Sequence, residues 1–153
     1  MTISYRILLL LLILFYSCKS TKKLDKDSPY AFDFIEIETV VGLSDVATLE
    51  NKLIFVDVYA DWCLPCKTMD EDIFTDNRLG KFYNDNFVSY KADSENGVGA
   101  DIAELYNVAV LPTLLFLDNN GNLLAQQSGS ANINEMYELA ERAMAISSKK
   151  LGE

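Results

Sequence analysis

Two cysteines three residues apart, Cys63 and Cys66, carry the chain's clearest potential for covalent chemistry. They lie in Asp61-Trp62-Cys63-Leu64-Pro65-Cys66-Lys67, directly after the apolar run LIFVDVY at residues 53–59. A strand feeding a helix here puts both thiols on the first helical turn. Side chains at i and i+3 share a face there and can close a small disulfide loop. Cys63 falls at the helix start, where free backbone N–H groups and the dipole's positive end stabilise a thiolate. Cys66 lies one turn deeper and is expected to be the more shielded. This division assigns Cys63 to attack on a partner disulfide and Cys66 to resolution of the mixed disulfide. Lys67 could add positive potential, although its side chain is expected to point to solvent. The same CxxC could also be half of a metal site or two unrelated core thiols. No second ligand pair exists in the chain and histidine is absent, so a zinc site is poorly supported. Lack of histidine also removes Ser–His and Cys–His nucleophiles, the HExxH metal site and the CxxCH haem site.

The elements that must position these thiols follow from composition and pattern. The chain has 153 residues, is half apolar and carries eight Phe, eight Tyr and one Trp, enough for one compact core. Its net charge of −10 repels phosphate backbones, so nucleic acid is not an expected partner. Residues 32–41 alternate apolar and acidic side chains and begin as a strand with one buried face. Residues 44–51 read as a short helix with Ser44 as N-cap. The run at 53–59 reads as a central strand buried on both faces. From Cys63 onward the pattern is helical, with Cys66, Met69, Ile73 and Phe74 on one side. Thr75-Asp76-Asn77 interrupts it before a second helical piece carrying Leu79, Phe82 and Tyr83. A strand follows at 87–92, then a polar loop containing Gly97-Val98-Gly99. A helix at 101–106 is expected to turn Ile102, Leu105 and Tyr106 inward. Two strands at 113–117 and 123–127 flank Asp118-Asn119-Asn120-Gly121, a hairpin signal. Asn132-x-x-Glu135 resembles a capping box and opens a last amphipathic helix with Ile133, Met136, Tyr137, Ala140 and Met144. The order predicts an α/β fold, a central mixed β-sheet flanked by helices on both faces.

The stretch Phe55-Val-Asp-Val-Tyr-Ala-Asp-Trp-Cys-Leu-Pro-Cys-Lys67, with Leu111-Pro112-Thr113 before a later strand, resembles the thioredoxin family. Within it Asp57-Val-Tyr-Ala-Asp-Trp-Cys63, with Ile73-Phe74-Thr75-Asp76 downstream, is most similar to the C-terminal periplasmic domain of the transmembrane thiol:disulfide interchange protein DsbD. The resemblance covers roughly residues 34 to 146 and implies a thioredoxin fold. It places a proton-exchanging acid at Asp57, six residues before the first cysteine. An acid in an apolar strand should have a raised pKa and can take the proton from Cys66. The alternative is a carboxylate that satisfies a backbone donor. Lys91 aligns with a family lysine that pairs with that acid; an exposed strand-end lysine is the plain alternative. Pro112 corresponds to the family's cis-proline, which turns the Leu111 backbone toward the CxxC, where an extended substrate can pair with it. Trp62 shields the thiolate by the same resemblance, or is simply a core or interface aromatic. Leu64-Pro65 departs from the Gly-Pro of cytosolic thioredoxin and the Val-Ala of the DsbD-type domain. Pro65 and its neighbour therefore leave the direction of electron flow open.

The first segment reads as an address. Arg6 precedes an unbroken apolar run at residues 7–16. Ten helical residues span only about 15 Å, half of a bilayer core. The run fits a signal peptide and ends at Ser17-Cys18, which resembles the lipobox of bacterial lipoproteins. Phe15 and Tyr16 depart from the usual residues. The expectation is a signal at 1–17, a lipidated Cys18 with a flexible tether at 18–31, a thioredoxin-like domain at 32–147 and a polar tail at 148–153. A plain secretory signal with Cys18 as a free thiol is the alternative. Lipidation would consume the odd cysteine and leave one pair.

Together these readings predict an enzyme, a membrane-tethered thiol–disulfide oxidoreductase that faces the periplasm. It would use no cofactor beyond the Cys63–Cys66 pair and no metal. Its partners would be disulfide-bearing envelope proteins, a membrane reductase as electron donor, and the membrane itself through Cys18. Lys19 hints at the outer membrane. The competing readings are a non-catalytic thioredoxin-fold scaffold and, more weakly, a metallochaperone.

Overall fold

In the computed structural model the described residues are 28–151, together with the short strand β1 (Lys23–Leu24). The remaining elements are β2 (Ile35–Glu36), α1 (Val40–Glu50), β3 (Leu53–Tyr59), α2 (Leu64–Asp72) and α3 (Asn77–Asn86). They continue with β4 (Phe87–Asp93), α4 (Gly97–Leu105), β5 (Thr113–Leu117), β6 (Leu123–Ser128) and α5 (Ile133–Leu151). Cys18 and the leader at 1–17 lie outside the described residues.

The main sheet has the order β4-β3-β5-β6. β3 pairs parallel with β4, antiparallel with β5, and β5 pairs antiparallel with β6. β3 is therefore central, and its five middle residues are buried. That burial explains its run of β-branched and aromatic residues, which has no polar face to offer solvent. Strand alternation sorts the core into two layers. Phe55, Phe87, Leu114 and Phe116 face one way, against Met69 of α2, Leu79 and Tyr83 of α3, and Met136 and Ala140 of α5. Ile54, Val56, Val58, Val88 and Leu115 face the other way, against Leu43 and Val46 of α1 and Ile102 of α4. This is the expected α/β architecture of a mixed sheet with helices on both faces, and it is a thioredoxin fold.

Several expectations about single elements are corrected. The strand predicted over 32–41 is reduced to Ile35–Glu36 and one bridge from Phe34 to Ser89, because α1 starts at Val40 and not at Ser44. Thr39 is the true N-cap: its Oγ1 accepts from Gly42 N at 3.0 Å. Capping overrides the strand preference of the β-branched Thr39-Val40-Val41. Gly97–Gly99 belongs to α4 instead of a loop, and Leu105 is 58% exposed. A Cβ on Gly99 would lie 2.2 Å from Asp93 O, so this face of the helix is pressed onto the end of β4. Ile102 turns inward while Leu105 is swung outward. At the ends of the domain, Tyr30 and Ala31 are already packed, since Ala31 N donates to Phe74 O at 2.8 Å. α5 runs through Leu151, past residue 147. Its capping box forms as expected, Asn132 N donating to Glu135 Oε2 at 2.7 Å and Glu135 N to Asn132 Oδ1 at 3.1 Å.

Candidate active site

β3 ends at Tyr59, and Ala60-Asp61-Trp62 turn the chain into α2. Cys63 is the N-cap of α2, in extended conformation at φ −75° and ψ 102°. Pro65 stands in the first turn, where a missing N–H costs nothing. The Cys66 N–H donates to Cys63 Sγ at 3.2 Å. The sequence thus aims a helix N-terminus at the first sulfur, the arrangement that favours a thiolate on reduction.

Cys63 and Cys66 are joined in a disulfide, with Cα atoms 5.3 Å apart. Both residues are 2% exposed. The expectation that Cys66 would be the more shielded is not met in this oxidised form, where the small ring buries both. Lys67 is exposed, as anticipated. Ala60 and the half-buried Tyr59 and Leu111 pack against the disulfide. The Leu111–Pro112 bond is cis, and the chain leads from it directly into β5, the antiparallel neighbour of β3. The β3–β5 register sets Thr113 beside Val58. Trp62 is 69% exposed, so it is not a core aromatic, and its Nε1 donates to Glu95 Oε1 at 3.0 Å. Leu64 and Val110 are exposed as well. With Trp62 and Leu111 they give the disulfide an apolar rim.

Behind this surface Asp57 is 1% exposed. The β3–β4 register pairs it with Lys91, whose Nζ donates to Asp57 Oδ2 at 2.9 Å. Asp57 Oδ1 is buried without a hydrogen-bond partner. Burial pushes the Asp57 carboxyl above the usual range; Lys91 opposes this, and the nearby Asp70 adds to it. Lys91 is therefore not an exposed strand-end lysine. Burial disfavours its charge, but Asp57 and Asp70 outweigh that and hold it protonated.

Asp70 is the residue that the sequence reading missed. Its Oδ1 accepts a hydrogen bond from Lys91 Nζ. Within Asp70-Glu71-Asp72 it resembles a solvated helix acid. The available signal was its spacing: Asp70 is four residues after Cys66 and shares its side of α2. Among the described residues no group of His, Cys, Asp and Glu is arranged to hold a metal ion.

A family model described as a thioredoxin-like domain matches residues 44–143. Thiol:disulfide interchange protein DsbD from Tatumella citrea is 34% identical over 113 residues, covering 72% of this chain and 19% of the relative. The same protein from Colwellia psychrerythraea is 34% identical over 100 residues, covering 61% and 16%. The chain thus spans less than a fifth of the length of these relatives. Among solved structures, a proposed disulphide-isomerase from Bacteroides thetaiotaomicron superposes with a TM-score of 0.64 at 30% identity. That match covers 77% of this chain and 94% of that one. Proteins of this fold with such chemistry use the cysteine pair itself as the redox centre. With the fold, the closed Cys63–Cys66 ring and the cis Leu111–Pro112 bond beside it, the chain belongs to the thioredoxin-like disulfide oxidoreductase family.

Proposed function

We propose that this protein is a membrane-tethered thiol–disulfide oxidoreductase of the bacterial cell envelope that reduces or exchanges disulfides in other proteins. The observation that carries this reading is the placement of Cys63 at the mouth of α2, bonded to Cys66 and framed by Leu111–Pro112. In the reduced protein the Cys63 thiolate attacks one sulfur of a substrate disulfide, and the other substrate sulfur leaves as a thiolate. Cys66, deprotonated with Asp57 as acceptor, then attacks Cys63 Sγ and expels the second substrate thiolate. The pair is oxidised by two electrons and the substrate is reduced by two. The backbone beside Pro112 offers an extended substrate a pairing edge, and the rim of Trp62, Leu64, Val110 and Leu111 offers it apolar contact. Electrons would return from a membrane reductase, as the likeness to DsbD suggests. The tether is read from Ser17-Cys18 at the end of an apolar run too short to span.

Reduction of insulin by dithiothreitol tests catalysis: wild type should accelerate it and Cys63→Ser should not. Equal rates would reject the enzyme. Cys66→Ala should accumulate mixed disulfides with envelope proteins, whereas a scaffold would accumulate none. For the tether, a Cys18→Ala chain that still partitions with membranes after signal removal would refute lipidation.

A further inference from the structure

Lys91 Nζ is enclosed by four aromatic rings as well as by its two carboxylates. The centroids of Tyr59, Phe74, Tyr30 and Phe34 lie 4.7, 5.0, 5.2 and 5.4 Å from it. Tyr59 belongs to β3 and Phe74 to the turn after α2. Tyr30 and Phe34 come from elsewhere, a strap that precedes β2 and α1 and meets the edge strand β4 where Phe34 bridges Ser89. The strap is fixed by its backbone. Ala31 N donates to Phe74 O at 2.8 Å, Asp33 N to Asn84 Oδ1 at 2.8 Å, and Asn84 Nδ2 to Ala31 O at 3.0 Å. It lies so close to α3 that a Cβ on Gly80 would stand 2.5 Å from Ala31 O. Tyr30 and Phe34 meet edge to face at 5.4 Å and both pack on Phe74. Beside them opens a cleft of about 430 Å³ lined by Tyr30, Phe34, Tyr59, Tyr90 and Lys91. Lys91 lines this cleft with 14% of its side chain exposed, whereas Asp57, 1% exposed, does not reach it.

We propose that Tyr30 and Phe34 are positioning residues for the exchange reaction: they complete the aromatic enclosure around Lys91 Nζ and keep water from the buried Asp57 beside it. The physics is direct. Ring faces satisfy an ammonium electrostatically without hydrating the carboxylate beside it. Excluding water also leaves desolvation as the dominant influence on that carboxylate, and Asp57 is the group that must accept and return the proton of Cys66. The groups acting on Asp57 are Lys91 from β4, Asp70 from α2 and Tyr30 from the strap, while Tyr59 of its own strand faces Lys91. Asp61 and Asp93 act on Tyr59 from the rim. Removing a strap ring extends the cleft toward Asp57. The consequence for turnover rests on the exchange function proposed above; the effect on Asp57 does not.

The test is a ¹³C NMR titration of the Asp57 carboxyl in oxidised wild type, Tyr30→Ala and Tyr30→Phe, with thermal melting to establish that each is folded. Tyr30→Ala should lower the Asp57 midpoint toward the ordinary carboxylate range, and Tyr30→Phe, which keeps the ring, should restore it. If Tyr30→Ala does not fold, Phe34→Leu replaces it with the same expected direction. A folded ring-removing variant that titrates like wild type overturns the proposal. In the insulin assay the pH profile of Tyr30→Ala should move to lower pH and that of Tyr30→Phe should not. A moved Asp57 with an unmoved profile would reduce the strap to a structural role. A wild-type protein inactive on insulin would instead reject the exchange function, with the titration still deciding the seal.

Discussion

Asp57 retains its proton to higher pH than an ordinary carboxylate, because burial outweighs Lys91 at 2.9 Å. The folded protein therefore binds a proton that the unfolded chain has already lost. Asp57 contributes its full stability below the ordinary carboxylate pKa, and that contribution is lost as pH rises through the folded-state pKa. Asp57→Asn should match wild type near about pH 3 and exceed it at neutral pH by on the order of 1–3 kcal/mol, measured by urea denaturation. A variant that gains nothing at neutral pH would mean that the ion pair, not burial, governs this site. The same substitution should lower turnover on the order of 10²-fold by removing the proton acceptor of Cys66. At this scale the sequence was most readable where chemistry follows chain spacing. Cys63, Cys66, Asp57 and Pro112 are all fixed relative to motifs along the chain. Lys91 stayed ambiguous because its partner is set by the register of a parallel strand pair. Asp70 sits in a run of three acids, and although its spacing from Cys66 gives its side of α2, its partner Lys91 lies on another element that spacing does not reveal.

Among the elements, β3 and β5 were legible because burial on both faces demands near-continuous apolar runs, and β4 because its β-branched and aromatic residues outlast Ser89 and Lys91. The junction between β2 and α1 was not, since one side-chain hydrogen bond from Gly42 N to Thr39 Oγ1 decides it against local propensity. Thr39→Ala should cost about 1 kcal/mol and fray the first turn of α1, visible as faster amide exchange at Val41 and Gly42. Unchanged exchange there would mean that packing alone holds the turn. The strap depends on Gly80 in a different way. Gly80→Ala would place a methyl group 2.5 Å from the Ala31 carbonyl oxygen, and should destabilise by about 1–3 kcal/mol in thermal melts. Because it also displaces the strap, it should lower the Asp57 midpoint in the same direction as Tyr30→Ala.

Over the whole molecule, a net charge of −10 in 153 residues sets a field that favours basic partners and disfavours acidic ones. Reduction of a basic disulfide peptide should be faster than that of an acidic one at low salt, and the two rates should converge at high ionic strength. Rates that differ equally at all salt concentrations would assign the preference to local contacts at the rim. The architecture was legible at this scale because the order of strands and helices permits few mixed-sheet topologies. What composition and order do not encode is the redox poise, which depends on how α2, Asp57 and the Leu64-Pro65 pair together weight dithiol against disulfide. The most direct test of the account is therefore equilibrium titration of Cys63 and Cys66 against glutathione and dithiothreitol. It predicts one two-electron transition with an intramolecular disulfide, and the proposed reducing role requires it to lie nearer the roughly −270 mV of thioredoxin than the −120 mV of a strong oxidant. Mixed disulfides with glutathione and no closure between Cys63 and Cys66 would contradict it.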